Sequence, residues 1–405
     1  MTFKQYTLSG LSALTLAACQ TTAQAPASAP EMSAAEVHDA TLTLDTHIDI
    51  PLTYMSEIDP GLATELQVDL PKLVSGRLDS GFWIIYTPQG ELTAEGYAEG
   101  LEIAETRVKA ITQMSQAYPE SIEMAKTAND VRRIVGEGKH AVLIGMENAY
   151  PLGESVENIP SWAERGVRYV GLTHFGHNQF GDSSNANPER DSGPKWNGLS
   201  PLGKDLVRAL NENGIMVDVS HTGKATMMQA ADLSTTPIIA SHSGVKAIAD
   251  TERNLDDEQL RKIRDVNGVA QMVALGSYVK LPTPEQQAAR DALDEEFGDR
   301  SDWDQAKRDI YGERRAEITA MAPEANVSDF VDHIDHAVSV AGIDHVGIAS
   351  DFDGGGGIDG WQDASETENV TAELLSRGYS VEEIEKIWGG NLLRVLAAVE
   401  AEATN

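Results

Sequence analysis

The chain has 405 residues, of which 41% are hydrophobic, with 35 glycines and 16 prolines. This ordinary globular composition excludes collagen, coiled coil and disorder as descriptions of the whole chain. Acidic residues number 64 against 31 lysines and arginines, so the formal net charge is −33. A surface this negative repels nucleic-acid phosphates, and we expect no nucleic-acid partner.

The first 35 residues predict an export signal followed by a tether. Residues 6–18 form a mostly uncharged run that is too short to span a bilayer and has the proportions of a signal-peptide core. The sequence LAAC, which ends at Cys19, resembles the lipobox of bacterial lipoproteins, although an ordinary signal peptide with a chance cysteine is the alternative. We therefore predict a signal peptide over 1–18, and a lipidated Cys19 with a flexible Ala/Pro-rich tether over 19–35.

This N-terminus also predicts a location. A lipid anchor on Cys19 places the protein in the bacterial cell envelope, facing the periplasm and bound to a membrane through acyl chains. Gln20 stands where an aspartate would favour retention in the inner membrane, so we expect the outer membrane.

From residue 36 to residue 405, a strand-like apolar run followed by a helix-like stretch recurs about eight times. The predicted strands are rich in β-branched residues, as buried parallel strands are, and lie at 41–50, 80–87, 141–147, 167–174, 214–221, 237–242, 268–275 and 345–350. The predicted helices lie at 94–117, 127–138, 199–213, 223–232, 255–266, 326–341, 364–377 and 381–400. This alternation predicts an α/β fold, a (β/α)8 TIM-type barrel, with a doubly wound sheet as the alternative. Residues 281–325 fit neither repeat, and we expect a helical insertion there.

The predicted strands end in side chains that bind metal ions. These side chains are His47, Asp49, Glu147, His174, His221, His242 and Asp351. Strand ends meet at one mouth of such a barrel, so we expect these groups to converge. Nitrogen and oxygen ligands of this kind suit Zn²⁺, and the set exceeds what one tetrahedral ion needs, so we predict two zinc ions.

Each of these residues has a structural alternative. A single strand-end histidine is usually a hydrogen-bonded structural residue, and a strand-end aspartate often caps the next helix. It is the convergence of the whole set that favours a metal centre. His177 lies on a polar loop from which it could contact a substrate.

Eight short motifs together resemble the membrane (renal-type) dipeptidases, peptidase family M19 of the amidohydrolase-like barrels. They are DTHIDIP, LIGMENAYPL, GLTHFGHN, VDVSH, PIIASHSG, TERNLDD, GIASDFDGGGG and GNLLRV. The resemblance extends from about residue 36 to 398. Family members often read D-G-H-N-D where this chain reads D-T-H-I-D, a difference that leaves both ligand positions in place.

The resemblance implies a division of the metal ligands. His47 and Asp49 would hold one zinc, His221 and His242 the other, and Glu147 would bridge both. The implied activity is hydrolysis of dipeptides by a hydroxide that bridges the two ions.

The resemblance also implies which residues handle the substrate. Asp351 would transfer the proton, with Asp353 as the alternative because it lies two residues along, and His174 would bind the substrate and stabilise the oxyanion. Arg253 would hold the C-terminal carboxylate, with help from Tyr278. Without the resemblance, Arg253 could equally be ion-paired to the nearby acidic residues at 252, 256 and 257.

Two other functions stay open at this point. The same ligands could serve another amide, β-lactam or lactone hydrolase, or the protein could be a catalytically silent metal- or peptide-binding lipoprotein. Family members are often dimers, so a homodimer is possible.

Overall fold

A computed structural model describes residues 32–188, 190–298 and 303–403. The compact unit begins at Ala34. The predicted signal peptide, Cys19 and most of the predicted tether lie outside the described residues. Within the ranges given above, no helix combines the length and the apolar character needed to cross a membrane.

Parallel strands form a nearly closed barrel. In chain order the strands are β1 (Leu44–Ile48), β2 (Ser80–Tyr86), β3 (Ile122–Met124), β4 (His140–Glu147), β5 (Val167–Gly171), β6 (Met216–Asp218), β7 (Ile239–Ser243), β8 (Val269–Val273) and β9 (Val346–Ala349). Around the barrel the hydrogen-bonded order is β1-β2-β4-β5-β6-β7-β8-β9. The circle closes just beyond β9, where Ile48 pairs with Phe352 in parallel. The predicted (β/α)8 barrel is confirmed, and the doubly wound alternative is wrong.

The strand β3 was not predicted. It pairs with the first residues of β4, from His140 to Val142, whereas β5 pairs with β4 from Ile144 onward. This three-residue strand therefore extends the sheet at the end of the barrel where strands begin, and it lies outside the barrel order.

Helices surround the barrel. They are α1 (Ala34–Ala40), α2 (Leu70–Gly76), α3 (Ala94–Ala117), α4 (Ala128–Gly136), α5 (Ile159–Glu164), α6 (Pro201–Glu212), α7 (Lys224–Leu233), α8 (Asp257–Asp265), α9 (Gly276–Val279), α10 (Pro284–Phe297), α11 (Gln305–Thr319), α12 (Val327–Ala341), α13 (Glu368–Ser376), α14 (Val381–Glu385) and α15 (Asn391–Glu402). Helices α10 and α11 form the predicted insertion between β8 and α12. The predicted helix 381–400 is interrupted by a wide π turn at Lys386–Gly390.

Capping residues explain where several helices begin. The Thr127 hydroxyl accepts a hydrogen bond from the Asp130 amide, and the Asp130 carboxylate accepts one from the Thr127 amide. This reciprocal pairing satisfies two amides that lack partners within the helix, and thereby fixes the start of α4. The same arrangement begins α8, α10, α12 and α14.

The strands are buried on both faces. Along β2, Phe82 and Ile84 belong to one buried cluster, and Trp83 and Ile85 belong to another that includes Ile111 of α3. Alternate side chains of a strand point to opposite faces, so one row faces the barrel interior and the other faces the helices. With apolar residues filling both sides, the polar residues that end the strands are concentrated at the mouth.

Candidate metal centre and active site

Glu147, the last residue of β4, lies at the centre of the histidine cluster. Its Oε2 is 3.5 Å from His47 Nε2. Its Oε1 is 2.9 Å from His221 Nε2 and 3.4 Å from His242 Nε2. The two carboxylate oxygens thus face different histidines, which is the geometry required of a carboxylate shared by two ions.

The remaining predicted ligands complete the cluster around these atoms. His47 Nε2 is 3.4 Å from Asp49 Oδ2 and 3.8 Å from Asp351 Oδ1. On the other side of the cluster, His174 Nε2 is 3.7 Å from Glu147 Oε1. Three overlapping groups of these residues each bring their ligand atoms within 4.8 Å of one another.

The donor atoms suit a metal ion. His47 Nε2 is fully buried, and among the described residues it has no hydrogen-bond partner. The Nε2 atoms of His221 and His242 are 2.9 Å apart, so both rings point at a common volume. Buried imidazole nitrogens and carboxylate oxygens that converge on one another in this way fit divalent cations such as Zn²⁺.

Hydroxyl groups at the Nδ1 side of the ring orient two of the histidines, His47 and His242. The Tyr169 hydroxyl is 3.0 Å from His47 Nδ1, and the Ser241 hydroxyl is 2.8 Å from His242 Nδ1. Each contact occupies Nδ1 and leaves Nε2 facing the mouth. Such outer contacts fix the tautomer and the ring orientation of metal-binding histidines.

The electrostatics keep two of the histidines neutral. Burial, together with the positive charge of Arg253, lowers the pKa of both His221 and His242 well below its ordinary value. Burial also opposes a charge on His47, but the carboxylates of Glu147 and Asp49 outweigh it and raise the pKa of His47. Neutral imidazole is the form that binds metal ions.

Asp351 holds its proton unusually tightly. Burial raises the pKa of Asp351 to about 8, and the negative charges of Asp49 and Glu147 act in the same direction, against His47. A carboxyl group with its pKa moved toward neutrality in a cleft is suited to accepting and returning a proton.

The backbone at the mouth adopts conformations that side chains rarely take. His221, Asp351 and Asp353 have φ of 62°, 61° and 60°, all in the left-handed region. Such conformations typically cost about 1–3 kcal/mol each, and they cluster at functional sites. A Cβ on the adjacent Gly354 would lie 2.2 Å from Asp49 Oδ2, so only glycine leaves room for the ligand.

Arg253 is buried beside the cluster. Its Nη1 donates to the Ser243 hydroxyl at 2.7 Å and its Nη2 to the His242 carbonyl at 2.5 Å, while Nε has no partner among the described residues. Its Cζ lies 5.4 Å from the centre of the Tyr278 ring. The acidic neighbours considered as partners are paired elsewhere, for example Glu252 with Lys246 at 2.9 Å.

Contacts bear on two alternatives that the sequence left open. The two oxygens of Asp353 accept hydrogen bonds from the amides of Gln67 at 2.8 Å and Val68 at 3.2 Å. Asp353 therefore anchors a loop, and this favours Asp351 as the proton-transfer residue. His177 accepts from the Ser183 amide at 3.0 Å and helps to hold its own loop.

Several residues of the site were missed. Asp45 accepts from the amides of His47 and Ser350, and Asp218 accepts from the amide and hydroxyl of Ser241. Their position two or three residues before a ligand histidine is a usable sequence signal, since a carboxylate there can bind the turn that carries the ligand.

The cluster forms the floor of an open cavity of about 470 Å³. The other lining residues include Ile50, Pro51, Tyr86, Arg107 and Phe175. A volume in this range accommodates a small ligand. Neither Tyr86 nor Arg107 was predicted, because nothing in their local sequence marks them.

A (β/α)8 barrel with buried histidines and carboxylates converging at its mouth is an arrangement typical of metal-dependent hydrolases. Residues 31–405 match the family described as Membrane dipeptidase (Peptidase family M19). The chain belongs to this family and is a metallo-dipeptidase, as the resemblance implied.

Relatives and solved structures agree with this assignment. Dipeptidase tcpJ of Claviceps purpurea is 33% identical over 343 residues, covering 84% of this chain and 70% of that protein. The crystal structure of the probable dipeptidase PvdM from Pseudomonas aeruginosa is 37% identical, with a TM-score of 0.84, and the match covers 91% of this chain and 98% of that one. A metallo peptidase from Rhodobacter sphaeroides, liganded with a phosphinate mimic of the dipeptide L-Ala-D-Ala, shares the fold at 23% identity and a TM-score of 0.69, over 89% of this chain and 99% of that one.

Proposed function

We propose that this protein is a binuclear zinc dipeptidase. The observation that carries the proposal is the position of Glu147, whose Oε2 faces His47 while its Oε1 faces His221 and His242. A single ion would leave part of this set unused.

In the proposed centre, His47 and Asp49 would hold one zinc, His221 and His242 would hold the other, and Glu147 would contribute to both sites. When bound, the ions would lower the pKa of a water molecule and polarise the carbonyl of the scissile peptide bond. The neutral state of His221 and His242 supports this arrangement.

We propose Asp351 as the residue that moves the proton. Its carboxyl group is buried, lies 3.8 Å from His47, and has a pKa raised to about 8, so Oδ1 can take a proton and return it to the leaving amine. His174 would bind the substrate carbonyl, where negative charge develops during attack.

Arg253 and Tyr278 would position the C-terminal carboxylate of the dipeptide. The buried guanidinium of Arg253 has no acidic partner within ion-pair distance among the described residues, and its Nε is unused. Tyr278 lines the cavity in front of it. A requirement for this carboxylate would restrict cleavage to the last peptide bond of a substrate, which in a dipeptide is its one peptide bond.

The test measures hydrolysis of L,L and L,D dipeptides and of one tripeptide by the protein in chelator and after reloading with Zn²⁺. We expect zinc-dependent cleavage of dipeptides only, and a loss of kcat of about 10²–10⁴-fold in Asp351→Asn, the range for general acid–base groups. The control Asp205→Asn changes an exposed aspartate that pairs with Arg208.

Two outcomes would count against the proposal. Zinc-loaded protein that cleaves no dipeptide would contradict the dipeptidase activity and direct attention to other amides and lactones. Full activity in Asp351→Asn would contradict the proton-transfer role alone.

We also propose, from the sequence, that Cys19 carries a lipid anchor in the bacterial outer membrane, facing the periplasm. Fractionation of cells producing the native protein and Cys19→Ser would test this, since only the native protein should remain with membranes. The homodimer implied by the family can be checked by sedimentation.

A further inference from the structure

Arg107 is a buried cation in the active-site cavity that the proposed mechanism does not use. It lies on α3, is only 9% exposed, and lines the same cavity as the metal-ligand cluster. Its Nε donates to the carbonyl of Ile50 at 3.1 Å, and its Cζ lies 5.5 Å from the centre of the Tyr86 ring.

The two Nη groups of Arg107 have nothing to bind within the described parts of the chain. No described carboxylate lies within 4.0 Å of the guanidinium, and its one hydrogen bond is the one made by Nε. Burial lowers the pKa of Arg107, and the more distant charges of Asp49 and Glu147 act in the opposite direction without outweighing it. A buried arginine is normally paired, because removing its charge from water is costly.

The barrel order places Arg107 opposite Arg253. Arg107 contacts Ile50, just after β1, and Tyr86, the last residue of β2. Arg253 is bound to β7 through His242 and Ser243. In the order of eight barrel strands, β2 and β7 are separated by half the circle, and the ligand cluster lies between them.

This placement gives the substrate a direction. With the C-terminal carboxylate of a dipeptide on the Arg253 side and the scissile bond at the ligand cluster, the acyl side of the substrate extends toward Arg107. The groups on that side are the Arg107 Nη donors, the Tyr86 ring and the apolar Ile50 and Pro51.

We propose that Arg107 is a specificity-determining residue that binds a second carboxylate, on the acyl side of the scissile bond. This inference rests on the proposed dipeptidase function and names its substrate class, acidic dipeptides. Such a carboxylate is present in the side chain of an N-terminal Glu or Asp, and also as the α-carboxylate of a γ-linked glutamyl dipeptide. A planar guanidinium with two free Nη groups matches either one in a bidentate manner.

The test compares kcat/KM for Glu-Ala and γ-Glu-Ala with that for Gln-Ala, a neutral isostere of Glu-Ala. We expect at least one of the acidic substrates to exceed Gln-Ala by about tenfold or more, as hydrogen bonds to a charged group allow. The choice between the two acidic substrates identifies the source of the carboxylate.

In Arg107→Gln we expect this ratio to fall toward one, mainly through a rise in KM for the acidic substrate. A ratio measured within one variant cancels any general loss of activity. Arg165→Gln is the matched control. Arg165 follows α5 and pairs with Glu105, which lies on α3 as Arg107 does, and we expect this variant to keep the native ratio.

The outcomes separate the two proposals. If the native protein has the same kcat/KM for Gln-Ala as for both acidic substrates, the Arg107 inference alone is overturned. This holds whether or not the variant folds. An acidic preference that survives in Arg107→Gln overturns it as well. Failure to hydrolyse any dipeptide, Ala-Ala included, overturns the dipeptidase proposal and the inference with it.

Discussion

His47 shows how a single ligand is fixed by residues far apart in the sequence. Its amide donates to Asp45 Oδ1, its Nδ1 contacts the Tyr169 hydroxyl, and its carbonyl accepts from the Asp351 amide at 3.1 Å. Three strands therefore set the position of one imidazole. Such redundant support is what holds a ligand within the small tolerance that catalysis demands.

Gly354 offers the sharpest test at the residue scale. In Gly354→Ala the new methyl group would lie 2.2 Å from Asp49 Oδ2 and 2.6 Å from Asp351 Oδ1, so both carboxylates must move. We expect kcat/KM to fall by about 10²-fold or more, since displacement by about 1 Å has that effect, while the far-ultraviolet circular dichroism stays native.

The matched control is Gly312→Ala on α11, where an added Cβ meets nothing within 4 Å. That substitution should leave activity unchanged and, as a helix-favouring change, should not lower the melting temperature. If Gly354→Ala keeps the native kcat/KM, Asp49 and Asp351 can move away from the added methyl group without loss of activity, and the prediction is wrong.

The ligand residues were predictable because each one follows an apolar strand that the sequence marks clearly. Tyr169 was not, because its contact with His47 joins positions 122 residues apart. Gly354 was visible as part of a glycine run, but the reason for a glycine at this position is the proximity of Asp49, which only the closed barrel creates.

At the scale of elements, the insertion has a small core of its own. Leu293 on α10 packs with Trp303 and with Tyr311 and Ile318 of α11, in a buried cluster separate from those of the barrel. This separation implies that α10 and α11 can loosen while the barrel stays folded.

Leu293→Ala tests that independence. The loss of a buried leucine typically costs about 2–5 kcal/mol, and we expect the loss to fall on the insertion. Amide hydrogen exchange should accelerate in α10 and α11 but not in β4. Leu260→Ala, on the barrel helix α8, is the matched control and should lower protection in the barrel itself. Equal acceleration in β4 and α10 for Leu293→Ala would contradict separate cores.

Long elements were predicted well, and several short ones were missed. Strands and helices of the barrel repeat follow from apolar runs and capping pairs that a sequence displays. The strand β3 has three residues and the helix α5 six, too few for a periodic pattern to emerge. Their conformation depends on neighbours, as in the pairing of β3 with β4.

At the scale of the whole molecule, the two ends of the barrel have different roles. The mouth gathers buried charge for chemistry, whereas the opposite end contains buried polar groups that influence stability. His140, the first residue of β4, is the clearest example. Its Nδ1 is 2.8 Å from the carbonyl of Leu78, and its Nε2 has no partner among the described residues.

His140 should make stability depend on pH. Burial lowers the pKa of His140 to about 4 from the ordinary 6.5. Between these values the unfolded chain binds a proton that the folded chain does not, so stability is lost as pH falls from 6.5 to 4. The maximum loss is about 3 kcal/mol from this group.

His140→Asn retains a donor for the Leu78 carbonyl but does not titrate in this range. We expect its free energy of unfolding, measured by urea denaturation in chelator, to fall less steeply than that of the native protein between pH 6.5 and 4. At pH 8, residue 140 is uncharged in both proteins, so the difference in unfolding free energy measured there is the part that does not come from titration of His140. Parallel curves for the two proteins would rule out the assigned role of His140.

The closure of the barrel has a consequence for the protein during its synthesis. The seam joins Asp45 to Ser350, 305 positions later, and the same seam carries His47 and Asp351. During translation, His47 and Asp49 therefore leave the ribosome long before Ser350 and Asp351, which contact the same strand, have been made. Only a chain translated through β9 can bring His47 and Asp351 together, so an unfinished chain lacks the complete ligand cluster.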